Sequence, residues 1–170
     1  PDQHFADGAL APNERLASVG RPNPLIRVEI MDEANRVLPA CRTGEICVRG
    51  DLVMKGYYKQ PDKTAETIID GWLHTGDIGH IDESGYLHIT DRKKDMIISG
   101  GFNVYPSEVE QVIWAHPAVQ DCAVIGVPDA KWGEAVKAVV ELNPGQEVSA
   151  AELIAVCKTK LGSVMAPKSV

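Results

Sequence analysis

From Leu25 the chain alternates apolar and polar residues. Ile26, Val28 and Ile30 interleave with Arg27 and Glu29, the period of a strand with one buried face. Asp32-Glu33-Ala34-Asn35 reads as a hairpin turn, and Gly44-Glu45-Ile46-Cys47-Val48-Arg49 repeats the alternation until Gly50-Asp51 breaks it. Asp62 to Ile69 fits one short helix, with Pro61 and Asp62 suited to its first turn. Ile78–Ile81 and Tyr86–Ile89 form the arms of a further hairpin around Asp82-Glu83-Ser84-Gly85, where Gly85 suits a positive φ. Residues 1–24 are rich in Pro, Gly and Asn and read as a loop.

After Asp91-Arg92 the period changes. Met96-Ile97-Ile98 is a short apolar strand, followed by a Ser99-Gly100-Gly101 loop. Ser107-x-x-Glu110 has the form of a capping box, opening a helix with Val109, Val112 and Ile113 on one face and His116-Pro117 as its stop. Val119–Val127 and Ala135–Leu142 read as strands. Ser149-x-x-Glu152 opens a second helix carrying Leu153, Val156, Cys157 and Leu161 at helical spacing. The pattern implies an α+β fold: an antiparallel β-rich subdomain over residues 1–93 and a small α+β domain over 94–170, with the boundary near Lys94.

Composition narrows the function classes. The 170 residues carry 17 Lys+Arg against 24 Asp+Glu, a net charge of −7, which argues against a general binder of nucleic acid or anionic membrane. Apolar runs fall well short of the roughly 20 residues a membrane helix needs, so no transmembrane segment is expected. A hydrophobic content of 44% is enough for a packed core. Cys41, Cys47, Cys122 and Cys157 lack C-x-x-C spacing, and the five His form no H-E-x-x-H cluster; no metal site is expected. Reduced thiols and a cytoplasmic setting fit this usage. The chain starts at Pro1 and stops just after a helix-like stretch, so it is expected to be a piece of a longer protein.

Three stretches could carry chemistry. In Thr75-Gly76-Asp77, a carboxylate beside a glycine can accept two hydrogen bonds from a vicinal diol; the bland reading is a turn Asp that satisfies its own backbone. Asp91-Arg92-Lys93-Lys94-Asp95 reads as a solvated linker, or as an Arg reaching a ribose or phosphate oxygen next to a pivot. Ser99-Gly100-Gly101 is a simple turn, or a place where backbone passes close to a ligand. Trp72, Trp114 and Trp132 lack the basic stripe of a base-stacking platform. His74 has no Ser or Cys partner of the kind a nucleophilic triad needs.

Taken in order, these stretches resemble the adenylate-forming (AMP-binding) superfamily. The resemblance rests on Gly44-Glu45-Ile46-Cys47-Val48-Arg49-Gly50, Gly56-Tyr57-Tyr58, Gly71-Trp72-Leu73-His74-Thr75-Gly76-Asp77 and the long run from Asp91 to Glu110. The Met96-Ile97-Ile98-Ser99-Gly100-Gly101 wording is similar to that of fatty-acyl and aryl acid–CoA ligases. The resemblance implies that Asp77 and Arg92 hold the ribose of ATP or AMP and that Lys94 is the hinge of a mobile C-terminal domain. Gly100 and Gly101 would then line the pantetheine tunnel for CoA. It further implies a carboxylic-acid substrate, ATP with Mg²⁺, and CoA. The N-terminal region bearing the phosphate loop and acyl pocket would be a further partner, and the family's catalytic lysine is expected beyond Val170, so that Lys168 is not that residue. Such a fragment is expected not to form an adenylate by itself. The alternatives are an adenylation domain that loads a carrier protein and a non-catalytic, free-standing binding module.

Overall fold

The alternation between Ile26 and Arg49 produces two paired strands. In the computed structural model, which describes residues 17–170, β1 (Ile26–Met31) and β2 (Gly44–Gly50) run antiparallel with Val28 opposite Val48 and Glu29 opposite Cys47. The loop expected over residues 1–24 lies mostly outside the described residues; of its described part, Val19 and Gly20 exchange backbone hydrogen bonds with Leu87. The chain divides into two compact units, one up to Lys93 and the other Lys94–Val170.

In the first unit, α1 (Pro61–Thr67) starts on Pro61, whose fixed φ and missing N–H suit a first turn. The helix ends before the expected Ile69, because the β-branched pair Ile68–Ile69 forms β3 and pairs with Leu73 and Trp72. The central strand is β4 (Trp72–Ile81), ten residues long. It pairs with β2 along one edge, and with β3 and then β5 (Leu87–Arg92) along the other. Thr75-Gly76-Asp77 therefore sits inside β4 and does not form an ordinary β-turn ahead of the hairpin. At the β4–β5 turn, Asp82 Oδ1 accepts from Tyr86 N at 2.9 Å and Gly85 has φ 81°. Ile30, Met31, Ile46, Cys47, Ile78 and Tyr86 are buried.

The second unit has a four-stranded antiparallel sheet in the order β7-β6-β9-β8, from β6 (Ile97–Ser99), β7 (Phe102–Val104), β8 (Val119–Asp129) and β9 (Gly133–Leu142). Gly100 and Gly101, at φ 59° and 82°, make the two-residue link between β6 and β7, a hairpin connection that favours left-handed backbone at both positions. Helices α2 (Pro106–Trp114) and α3 (Ala150–Leu161) close a core of Ile97, Val104, Val109, Ile113, Val136, Leu153 and Cys157. Ser149 caps α3 as its sequence predicts, accepting from Glu152 N at 3.1 Å. The expected box at Ser107 does not form. Pro106 takes the first helical position, Tyr105 becomes the N-cap, and Glu110 Oε1 instead accepts from Val124 N on β8 at 2.8 Å. Near the chain end, Lys168 N donates to Val136 O and Ser169 O accepts from Ala138 N, extending the sheet beside β9.

Gly79 shows how tightly the first sheet is packed. A Cβ there would fall on the His88 carbonyl oxygen of β5 and 2.9 Å from Ile46 Cδ1. Because the obstacle includes backbone, Gly79→Ala is expected to cost about 1–3 kcal/mol, read as a lower urea midpoint at unchanged slope.

Candidate functional site

The site begins with a break in a ladder. Glu45 of β2 faces Ile78 of β4, whereas Cys47 faces His74, so β4 carries two more residues than β2 over the same stretch. The extra length falls at Thr75, Gly76 and Asp77, with Gly76 at φ 74°. Backbone groups that lose their ladder partners in a buried place need others. Side chains supply them: Glu45 Oε1 accepts from Gly76 N at 3.2 Å, Thr75 Oγ1 donates to Ile46 O at 2.7 Å, and Asp77 N donates to Thr75 Oγ1 at 3.1 Å.

Glu45 is only 7% exposed, which an unpaired carboxylate would not tolerate. Its Oε2 lies 2.9 Å from His74 Nδ1 and accepts from Lys93 Nζ at 2.9 Å. Burial on its own would raise the carboxyl, but the hydrogen bonds from His74 and Lys93 outweigh it and hold Glu45 below the usual carboxylate range. Cys47 Sγ is 3.5 Å from His74 Nδ1, and burial, reinforced by the Glu45 charge, pushes its thiol up to about 11. Glu45, Cys47 and His74 thus bring an oxygen, a sulfur and a nitrogen within 4.8 Å of one another. The Lys93 ammonium supplies the positive charge at this spot and the thiol holds its proton, so the set is a hydrogen-bonded cluster in which a cation would compete with Lys93.

One strand position further on, Asp77 pairs with Arg92 across β4 and β5, with Arg92 Nε 2.9 Å from Asp77 Oδ1. Asp77 Oδ2 has no protein partner among the described residues. A cavity of about 430 Å³ opens beside the cluster, lined by Tyr57, Glu45, His74, Thr75, Gly76 and Lys93 among others. Asp77, Arg92 and the cluster all belong to the first unit. Lys94, the candidate hinge, is the first residue of the second unit, is exposed, and lies in a 3-10 turn over Lys93–Asp95.

Gly100 and Gly101 form a separate locus within the second unit. Gly100 N donates to Trp132 O at 2.8 Å, and a Cβ on Gly100 would come within 2.8 Å of Trp132 Cε3. Nothing lies within 4 Å of a Cβ built on Gly101, whose side faces open space. Glu45 and Lys93 do not stand out in the sequence. Glu45 looks like the outward position of an alternating strand, and Lys93 like one more charge in a charged run. The one hint was Cys47, a small apolar-type residue on the supposedly polar side of β2.

Comparison with known proteins gives a consistent picture. The family described as AMP-binding enzyme matches residues 5–58, and the AMP-binding enzyme C-terminal domain matches residues 108–170. A medium/long-chain fatty acid–CoA ligase of Mycobacterium tuberculosis is 49% identical over 164 residues, covering 92% of this chain and 29% of the relative. A feruloyl-CoA synthase of Amycolatopsis sp is 46% identical over 157 residues, covering 92% and 32%. The solved amide bond synthetase McbA from Marinactinospora thermotolerans superposes with a TM-score of 0.83 at 44% identity, again over 92% of this chain and 32% of that one. The chain spans about 30% of the length of the relatives it matches.

The lowered Glu45 carboxyl has a consequence for stability. A group whose folded value lies below its unfolded one stabilises the fold above the ordinary value of 4.5 and loses that contribution as pH falls through the folded value. The urea midpoint is therefore expected to drop as pH is lowered from about 5, and to drop less steeply in Glu45→Gln. Equal slopes in the two proteins would contradict the assignment.

Proposed function

We propose that this chain, which belongs to the adenylate-forming superfamily of AMP-binding enzymes, is the C-terminal portion of an AMP-forming acyl-CoA synthetase. Residues 1–93 belong to the distal β-rich part of the large AMP-binding region, and residues 94–170 to the enzyme's mobile C-terminal domain. In the whole enzyme a carboxylate oxygen of the acid attacks the α-phosphorus of ATP, pyrophosphate leaves, and an acyl-adenylate forms. The sulfur of CoA then attacks the acyl carbonyl, giving acyl-CoA and AMP. Mg²⁺ enters with the ATP phosphates, and no residue of this chain is assigned to it. Four free thiols fit a reducing, cytoplasmic setting, and fatty or aryl acids are the substrate class that the relatives' names suggest.

The observation that carries this reading is the Asp77–Arg92 pair beside an open carboxylate oxygen. A fixed carboxylate can accept from both hydroxyls of a ribose, and Arg92 orients Asp77 through its Nε while offering its remaining N–H groups to the same sugar. Charge-assisted hydrogen bonds are each worth about 1.5–3 kcal/mol. Lys94 follows as the pivot between an adenylating and a thioester-forming arrangement. Gly100 and Gly101 line the path of the pantetheine arm, with bare backbone on the open Gly101 side, where a side chain would obstruct the thiol.

In the full-length protein, Asp77→Ala is expected to lower kcat/KM for ATP in pyrophosphate exchange by at least about a hundredfold, corresponding to the loss of two such bonds. Unchanged exchange would sink the ribose assignment. Lys94→Pro restricts the backbone at the pivot and is expected to slow the thioester step roughly tenfold more than adenylation; equal losses in the two half-reactions would remove the hinge. A carboxylate screen that follows AMP release with and without CoA tests the acceptor. AMP release that depends on an amine or on a carrier protein instead of CoA would move the chain to a different acceptor class, of which the amide bond synthetase is a named example.

A further inference from the structure

We infer that Glu45 is the positioning residue of this site, and that its pairing with Lys93 fixes the stationary side of the pivot. The inference rests on the adenylate-forming reading given above. It starts from three donors that converge on one buried carboxylate: the Gly76 N–H on Oε1, and His74 and Lys93 on Oε2.

Each contact sets something different. The Gly76 bond holds the widened segment of β4 in the one conformation that delivers Asp77 opposite Arg92. The His74 contact fixes the residue that enters the widening. The Lys93 bond ties down the end of β5, one residue past Arg92. Consecutive side chains therefore run to opposite acids of the same unit, Arg92 to Asp77 and Lys93 to Glu45. Lys94 is the first residue after them, is exposed, and has no such pairing among the described residues. The side-chain ties to the first unit end at Lys93, which makes Lys94 the first position past them. A carboxylate outside the Asp77–Arg92 pair thus sets where that pair stands and where the swing begins.

Glu45 is the residue whose carboxylate is required, because Gln keeps the shape but has a single acceptor oxygen: aimed at Lys93 it turns its NH2 onto the Gly76 N–H, and aimed at Gly76 it turns the NH2 onto Lys93 and His74. Two readouts in the full-length protein test this. The first is hydrogen exchange at the Gly76 amide, expected to be about tenfold faster in Glu45→Gln than in the parent. The second is pyrophosphate exchange, in which KM for ATP is expected to rise about tenfold while kcat stays within about twofold, since the pair is displaced but its chemistry is retained. Lys93→Met removes a half-exposed partner and leaves the core intact. It is expected to raise KM for ATP in the same direction, with the double variant no worse than Glu45→Gln alone.

Unchanged Gly76 exchange, or a KM for ATP that does not move while Asp77→Ala abolishes ATP use, would overturn the positioning role and leave the adenylation reading standing. Additive effects of Glu45→Gln and Lys93→Met would overturn the link to the pivot. If the parent protein itself lacks pyrophosphate exchange, the adenylation reading falls; unchanged Gly76 exchange in Glu45→Gln then overturns the positioning claim as well, whereas faster exchange upholds it.

Discussion

A strand that carries two extra residues cannot keep its ladder, and the backbone groups it releases must be satisfied where they stand. That constraint governs the first unit. The widening of β4 opposite Glu45 and Cys47 strips Gly76 of a backbone partner in a part-buried place, and the repair comes from side chains. Thr75 bonds across to Ile46, and Glu45 fills the gap with a charge. A buried charge creates its own requirement, which Lys93 and His74 meet from two other elements. One irregularity in pairing thus calls three elements together.

What the irregularity gains is a change in the direction of side chains along a strand. In an unbroken β4 the faces would simply alternate from Trp72 to Ile81. With Gly76 at a left-handed φ the strand turns partway along, and Asp77 comes out opposite Arg92 with an oxygen to spare. The proposed ribose contact depends on that turn more than on any property of Asp77 alone. The second unit solves a similar problem differently. There, paired glycines make a two-residue hairpin whose backbone is bare on the Gly101 side and packed against Trp132 on the Gly100 side.

Much of this was legible in the residues. The alternation from Ile26 to Arg49, the Asp82–Gly85 turn and the Ser149 cap are local rules, obeyed locally. The adenylate-forming resemblance also stood on the sequence, because several long stretches occur in fixed order. At α2 the pattern points to the wrong cap, because Ser107-x-x-Glu110 and Pro106 compete for the same helix start and a proline at the first position decides it. Strand β7 escaped because three residues after two glycines carry too little pattern. Glu45 and Lys93 were hidden for a different reason. Their importance comes from partners 48 residues apart, and only the folded sheet brings these together.

The widened stretch of β4 also says what kind of change this strand can absorb. Side chains there are read by their spacing: Trp72 and Leu73 must meet β3, His74 must reach Glu45, and Asp77 must come out opposite Arg92. Adding or deleting one residue between Trp72 and Asp77 would exchange the two faces for everything on one side of the change. It would separate the acid cluster from the ribose pair although every residue type was still present. In this segment the number of residues matters as much as their identity.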